Sequence, residues 1–373
     1  MSREALIAER LRERTHQAHL LSGRFDFVRE GEALATWYRQ ATPGTTYWRC
    51  YIPARYLPGQ VVPVQPGSLS ENEDGTINLQ DARGTLVWQF LGDDGRTRIA
   101  LQMQRQGFPT IMEVDDNYLR FAPPLYGKAG SWQKTHAEAM ANGTGYSTEM
   151  HRKVVPMMDR IVCATPNLAE EYAEFNDNVY VARNSIDPTD WEDLPARDNS
   201  EILRIGYYGS PSHMKDYPLV KKALKWAQRQ KDVEVSMIGF TPPGWSGPAI
   251  PWEDQMFAAR AHLTGIDVGI APLKRNPWAD GKSDVKALEY AMAGVMPIVQ
   301  DAPPYSPWHD EAQWGSWMPS SEDDWMTAIQ EVVRQRDRVP TYAAEAKAYV
   351  LANRTIEQEI AAWREALGVT PQN

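Results

Sequence analysis

Four polar residues in one short stretch carry the strongest chemical signal of the sequence: Lys282, Ser283, Lys286 and Glu289, within DVGIAPLKRNPWADGKSDVKALEYAMAGVMPIV. An apolar strand pattern precedes them and a helical period follows, so they sit at a strand-to-helix junction. With a helix beginning near Ser283, Lys282 and Lys286 lie four apart and Lys286 and Glu289 three apart, which lets all three approach one ligand. Two ammonium groups there balance phosphate, and the carboxylate accepts hydrogen bonds from both hydroxyls of a ribose. The same residues also read as a solvated helical face with an ordinary Lys–Glu pair.

A second junction lies upstream. IGYYGSPSHMKD places Gly206, Gly209 and Ser210 just after a strand and just before a helix, with His213 and Lys215 following. Free backbone N–H groups, the positive end of a helix and a lysine together favour an anion such as a diphosphate. A tight strand-to-helix turn accounts for the glycines equally well.

The third signal is IMEVDDNYL, an apolar strand running into Asp115 and Asp116. In a parallel α/β sheet ligands bind beyond the carboxyl ends of the strands, so both acids are expected at an interdomain cleft, for acceptor recognition or proton transfer. The alternative has one acid capping the next helix and the other solvated. His136, His151 and His213 are further proton carriers by residue type, although a lone histidine is more often structural.

These junctions need an alternating α/β framework. In the first half, TYWRCYI, TLVWQFL, TIMEV and RIVCAT are short apolar runs, the last two continuous enough for buried strands, with helical MHRKVVPMMD and NLAEEYAEF around RIVCAT. NSIDPTDWEDLPARDNS is polar and lacks an apolar period, which marks a domain boundary. Beyond it come strand LRIGYYG, helix KDYPLVKKALKWAQRQ, strand VEVSMIGF, a Pro/Gly loop, helix EDQMFAARAHL, strand DVGIAPL, helix KALEYAMAG and strand MPIVQ. Leu219, Val220, Ala223, Leu224 and Ala227 form one apolar stripe. Near the end, Thr355 and Gln358 have capping-box spacing, and Ile356, Ile360, Trp363 and Leu367 make a buried edge. The expected domains are a helical appendage (1–40), an α/β domain (41–185), a linker (186–200), a second α/β domain (201–335) and C-terminal helices (336–373).

Composition agrees with a folded two-domain protein: 373 residues, 42% apolar and 24% charged. A net charge of −10 disfavours broad attachment to nucleic acid. Cys50 and Cys163 lack metal or redox spacing and read as reduced structural thiols. Most of the 14 tryptophans are expected in cores. No run suits a membrane span and MSREALIAERLRERTHQ lacks a signal-peptide core, so a cytoplasmic protein is expected.

Taken together, GYYGSPSHMKD, DVGIAPL and KSDVKALEYAMAGVMPIV resemble, in order, the C-terminal domain of GT-B glycosyltransferases, particularly the retaining group with a glycosyltransferase group 1 type C-terminal domain. The resemblance implies two Rossmann-like domains facing across a cleft, with a C-terminal helix crossing back to the first. It implies transfer of a sugar from a UDP- or GDP-sugar to an acceptor hydroxyl, with retention, no metal and no tightly bound cofactor. Lys215 would neutralise the donor diphosphate, Glu289 hold the ribose, and the loop at Pro251 and Trp252 lie near the base. Gly209, Ser210, His213, Lys282, Ser283 and Lys286 complete the implied donor site, and Asp115, Asp116 and Lys215 the catalytic set. This chain departs from the pattern at Ser210, where the family commonly has arginine, and at Gly281, where it has an acid; Lys282 and Ser283 take over in a branch carrying KS. Protein side chains, a glycan, a lipid carrier or a modified DNA base all suit as acceptor. A non-catalytic nucleotide-sugar-binding protein on the same fold is the alternative, favoured by Gly281; an epimerase would need acid–base pairs that the sequence does not display.

Overall fold

A computed structural model describes residues 35–38, 43–57, 61–64, 70–71, 77–78, 85–89, 91–92, 94–120, 147–195, 201–251 and 256–369. The chain divides into two compact units. Among the described residues, one comprises those within 35–185, Asn276–Ser283 and 356–369; the other comprises those within Ile186–Arg275 and Asp284–Thr355.

The first unit holds strands β1 (Ala35–Tyr38), β2 (Val61–Val64), the short antiparallel pair β3 (Ser70–Glu71) and β4 (Ile77–Asn78), β5 (Thr85–Gln89), β6 (Thr110–Val114), β7 (Arg160–Cys163) and β8 (Val179–Val181). Six of them form a sheet in the order β2-β1-β5-β6-β7-β8, parallel throughout. All five residues of β6 are buried, as expected of a central parallel strand, and its Met112 and Val114 join Trp88, Met103, Ile161 and Leu168 in the core. Ser147 and Thr165 accept from the backbone N–H groups of Met150 and Leu168, capping helices Thr148–Val154 and Pro166–Ala173.

Two expectations change in this unit. Ala35–Tyr38 is a strand of the sheet, so the α/β layer begins before residue 41. TYWRCYI is helical, within Pro43–Thr46, Tyr47–Tyr51 and Ile52–Arg55. Helix Ile356–Leu367 packs on β7 and β8, with Trp363 fully buried under the Arg49 guanidinium at 4.5 Å. Arg49 itself is fully buried, and its Nε donates to Glu113 at 2.5 Å. Burial still pushes the Glu113 carboxyl up to about 7, because desolvation outweighs the attraction of Arg49.

The second unit holds β9 (Leu203–Tyr208), β10 (Val233–Gly239), β11 (Ala249–Pro251), β12 (Val268–Ala271) and β13 (Met296–Val299), in the order β11-β10-β9-β12-β13, again parallel. The stripe of helix Tyr217–Ala227 buries Val220, Ala223, Leu224 and Ala227, and helix Glu322–Arg334, started by a Ser321/Asp324 capping box, packs against it. The helices after 336 divide: Val339–Asn353 packs on β13 and on helix Val285–Met292, whereas Ile356–Leu367 belongs to the first unit. The segment expected as a linker is built in at its start. Ile186 bridges to Thr355, and Trp191, 4% exposed, stacks on Arg260 at 4.5 Å.

Both cysteines are free and buried, and burial raises the Cys163 thiol well above its usual range. Among the described residues no helix is long and apolar enough to cross a membrane.

Candidate functional site

Within the second unit, the turn after β9 and helix Val285–Met292 bring His213 and Lys286 together; residues Asn276–Ser283, between β12 and that helix, belong to the first unit. Gly206 is not part of a ligand loop. It lies inside β9, where a Cβ would meet Ile266 Cδ1 at 2.5 Å, so it is a packing glycine. Gly209 has its N–H committed to Ile238 O at 2.9 Å, and a Cβ on it would stand 3.0 Å from the His213 ring. Its small size therefore makes room for the histidine. The chain does not enter the α-helix directly from Ser210 either. Pro211–Lys215 forms a 3-10 turn, and Asp216 occupies the N-cap of helix Tyr217–Ala227. The Asp216 side chain makes no cap hydrogen bond to that helix.

His213, 9% exposed, is held at both ring nitrogens. Its Nδ1 is 3.0 Å from Asp216 Oδ2, and its Nε2 is 2.7 Å from Lys286 Nζ. Asp216 is fully buried and its Oδ1 accepts from the Lys274 N–H at 2.9 Å. Lys215 ends the 3-10 turn and is half-buried.

Helix Val285–Met292 begins after Asp284, so Lys282 and Ser283 are not on its face and only Lys286 and Glu289 share it. Glu289 is 2% exposed, and among the described residues its buried Oε1 has no hydrogen-bond partner. Burial pushes its carboxyl up to about 7, against the lowering pull of Arg260 and Lys286. A buried acceptor without a donor costs about 1–3 kcal/mol and is the mark of a group kept for a ligand or a proton. The helix is pinned at the next residue. Tyr290 Oη accepts from the Tyr208 N–H at 3.0 Å and donates to Ile270 O at 3.0 Å, and its ring lies where a Cβ on Gly269 would stand, at 2.3 Å.

In the first unit, the two acids after β6 have different partners. Asp115 accepts from Thr45 Oγ1 at 2.9 Å and from Tyr118 Oη at 3.2 Å. Asp116 accepts from Lys282 Nζ at 2.8 Å, and that ammonium also lies 5.3 Å from the Trp278 ring centroid. Ser283 Oγ accepts from Asn184 Nδ2 at 2.8 Å, whose Oδ1 accepts from Arg49 Nη1 at 3.1 Å. Gly281 is closed off: a Cβ there would come within 2.7 Å of Asn117 Cβ, so the acid of the resembled family has no room. His151 is no proton carrier. It is fully buried between Leu91 O and Tyr172 Oη, and burial lowers it to about 4. Trp252 and His136 lie outside the described residues.

Asp216, Arg260 and the Arg49–Glu113 pair escaped the sequence reading. The signal for Arg260 is one charge within the apolar MFAARAHL; Asp216 stands inside the quoted GYYGSPSHMKD without being singled out.

No protein-family model matches the sequence, and no curated protein matches it either. Solved structures do match. Anabaena HepE in complex with UDP-glucose aligns with TM-score 0.59 at 10% identity, over 90% of this chain and 99% of that one. A variant of S. aureus TarM in complex with fondaparinux, alpha-GlcNAc-glycerol and UDP aligns with TM-score 0.51 at 8% identity, over 84% of this chain. This chain spans only 58% of that TarM chain's length. Likeness at such identities establishes architecture. The chain has the GT-B fold. Within it, Lys286 and Glu289 lie at the carboxyl-end junctions of the second Rossmann-like unit.

Proposed function

We propose that the protein is a glycosyltransferase of the retaining group with a glycosyltransferase group 1 type C-terminal domain, moving a hexosyl or pentosyl unit from a UDP- or GDP-sugar to an acceptor hydroxyl without a metal. The observation that carries this reading is the buried, unpartnered oxygen of Glu289 beside Lys286. Two vicinal hydroxyls of a ribose are the donors that such a carboxylate lacks. HepE and TarM, which share the fold, are described in complex with UDP-glucose and with UDP, which supports a nucleotide-sugar donor.

In this mechanism Lys215 and Lys286 stabilise the charge that develops on the departing diphosphate. The leaving phosphate takes the acceptor's proton, so no strong protein base is required. Asp115 and Asp116 then recognise the acceptor: Asp116 is ion-paired with Lys282 and Asp115 accepts two hydroxyl hydrogens, arrangements that suit hydrogen bonding to a sugar or alcohol. Lys282 and Ser283 stand in for the acid absent at 281, and Trp252 belongs to the donor side. The acceptor is a protein, a glycan or a modified nucleic-acid base, reached in the cytoplasm.

The test measures release of free nucleotide from UDP-, GDP-, ADP- and CMP-sugars, with Lys215→Ala and Glu289→Gln as controls. Turnover of one class, lost in both variants, is expected. Tight binding of a nucleotide sugar without turnover, for any acceptor supplied, would favour a binding protein on the same fold, a reading that the closed position of Gly281 supports.

A further inference from the structure

We propose that Asp216, His213 and Lys286 form a hydrogen-bonded relay in which His213 is a positioning residue that sets the place and the pH-dependence of the ammonium meeting the donor's diphosphate. The inference rests on the donor-site reading above and goes beyond it by giving His213 a role other than contact with the donor.

The geometry fixes the tautomer. Asp216 is fully buried, and its Oδ1 is held by the Lys274 N–H at 2.9 Å. Its Oδ2, 3.0 Å from Nδ1, can only accept, so the proton of the neutral imidazole stands on Nδ1. Nε2 then presents a lone pair, and Lys286 Nζ donates to it at 2.7 Å. The ring has little freedom to do otherwise. The Tyr207 hydroxyl donates to the His213 carbonyl at 3.1 Å, the His213 N–H donates to Ser210 O at 3.0 Å, and Gly209 leaves only enough room for the ring above it. A flexible lysine stem is thereby tied to a rigid turn, which lowers the entropy lost when the ammonium meets an anion.

Protonation of the ring reverses this. Nε2 gains a hydrogen, loses its lone pair and faces the ammonium as a like charge, so Lys286 is released. The ring nitrogens meet Asp216 from its own turn and Lys286 from helix Val285–Met292; near them in the chain stand Lys215 on the turn and Glu289, which feels Arg260 and Lys286, on the helix, while the Tyr207 hydroxyl holds the His213 carbonyl and the Lys274 N–H holds Asp216. Asp216 favours the charged ring and Lys286 opposes it.

The experiment is titration calorimetry of the full chain with UDP-glucose and GDP-mannose from pH 5.5 to 8, because both phosphates of their esterified diphosphates stay ionised and their charge is constant across that range. Wild type, His213→Gln, His213→Leu and Asp216→Asn are compared, with thermal melts recorded for each. Glutamine can donate to Asp216 and accept from Lys286 at once but does not titrate. The wild type is expected to lose about ten- to a hundredfold in affinity towards low pH, the scale of one charge-assisted hydrogen bond. His213→Gln keeps most of the pH 8 affinity and a flatter profile, the remaining slope belonging to Glu289. His213→Leu and Asp216→Asn are weak at every pH. If neither sugar nucleotide binds the wild type, the donor-site reading fails first. If the wild type binds but His213→Gln follows the same pH curve, or His213→Leu binds as well as His213→Gln, the relay is overturned. Tighter binding at pH 5.5 would also overturn it, since it would make the charged ring a direct diphosphate contact. Should His213→Leu not fold, the pH profile of His213→Gln decides alone.

Discussion

Replacing Glu289 by glutamine should stabilise the protein and abolish nucleotide binding in the same step. The carboxyl lies near 7 in the folded chain against an ordinary 4.5, chiefly through burial. Between those values the unfolded chain has released its proton and the folded chain has not, so stability falls as pH rises, by about 1.4 kcal/mol per pH unit. The contribution is intact below 4.5 and lost once pH passes 7, for a total of about 3 kcal/mol. Glutamine resembles the neutral acid in shape and never ionises. At pH 8 Glu289→Gln should therefore exceed wild type by about 3 kcal/mol, or roughly 6–12 °C in Tm for a domain of this size, while matching it near pH 4.5. Only the difference between the two proteins is informative, because Glu113 and His151 also titrate abnormally. The assay is thermal unfolding at half-unit pH steps, with and without UDP-glucose. Two parallel curves, or a less stable Glu289→Gln at pH 8, would show that the carboxylate is already satisfied and would remove the argument for a ribose.

Three further outcomes follow from packing. Arg49→Met strips the buried Glu113 of its ion-pair partner and drives its carboxyl higher still, and should cost about 3–5 kcal/mol in urea denaturation, with much of the loss recovered by adding Glu113→Leu. Gly281→Glu, which restores the acid of the resembled family, should destabilise by about 1–3 kcal/mol through collision with Asn117 and should not raise transfer activity, both read from melts and donor turnover. Gly269→Ala forces the Tyr290 ring from β12, with a similar loss of stability and weaker nucleotide binding by calorimetry; unchanged binding would show that helix Val285–Met292 does not depend on that ring.

The second α/β unit was far more legible than the first because its strands are continuous apolar runs and its helices carry clean stripes, as in Tyr217–Ala227. TYWRCYI misleads for an identifiable reason. Its aromatics favour strands, but its one arginine must reach Glu113, and a helical backbone places four consecutive buried residues around that contact. At the site, residue types were readable and their partners were not. Lys286 and Glu289 announce themselves by spacing, yet nothing local says that His213 lies against that lysine, a contact 73 residues away in sequence. The glycines allow two readings from sequence, and the contacts that their small size makes possible, Gly206 with Ile266 and Gly209 with His213, lie far off along the chain or hidden within the local pattern. The helix expected to begin near Ser283 begins at Val285, which leaves Lys282 and Ser283 in the turn before it.

Tyr290 links these observations to kinetics. Its hydroxyl replaces a rung between β9 and β12 at the point where their ladder ends, and it does so from the residue next to Glu289. The helix backbone that carries Glu289 is thus held to the sheet before any ligand arrives. Capture of a nucleotide by this helix should proceed in one bimolecular step, at a rate set by collision and charge, with no slower isomerisation following the encounter.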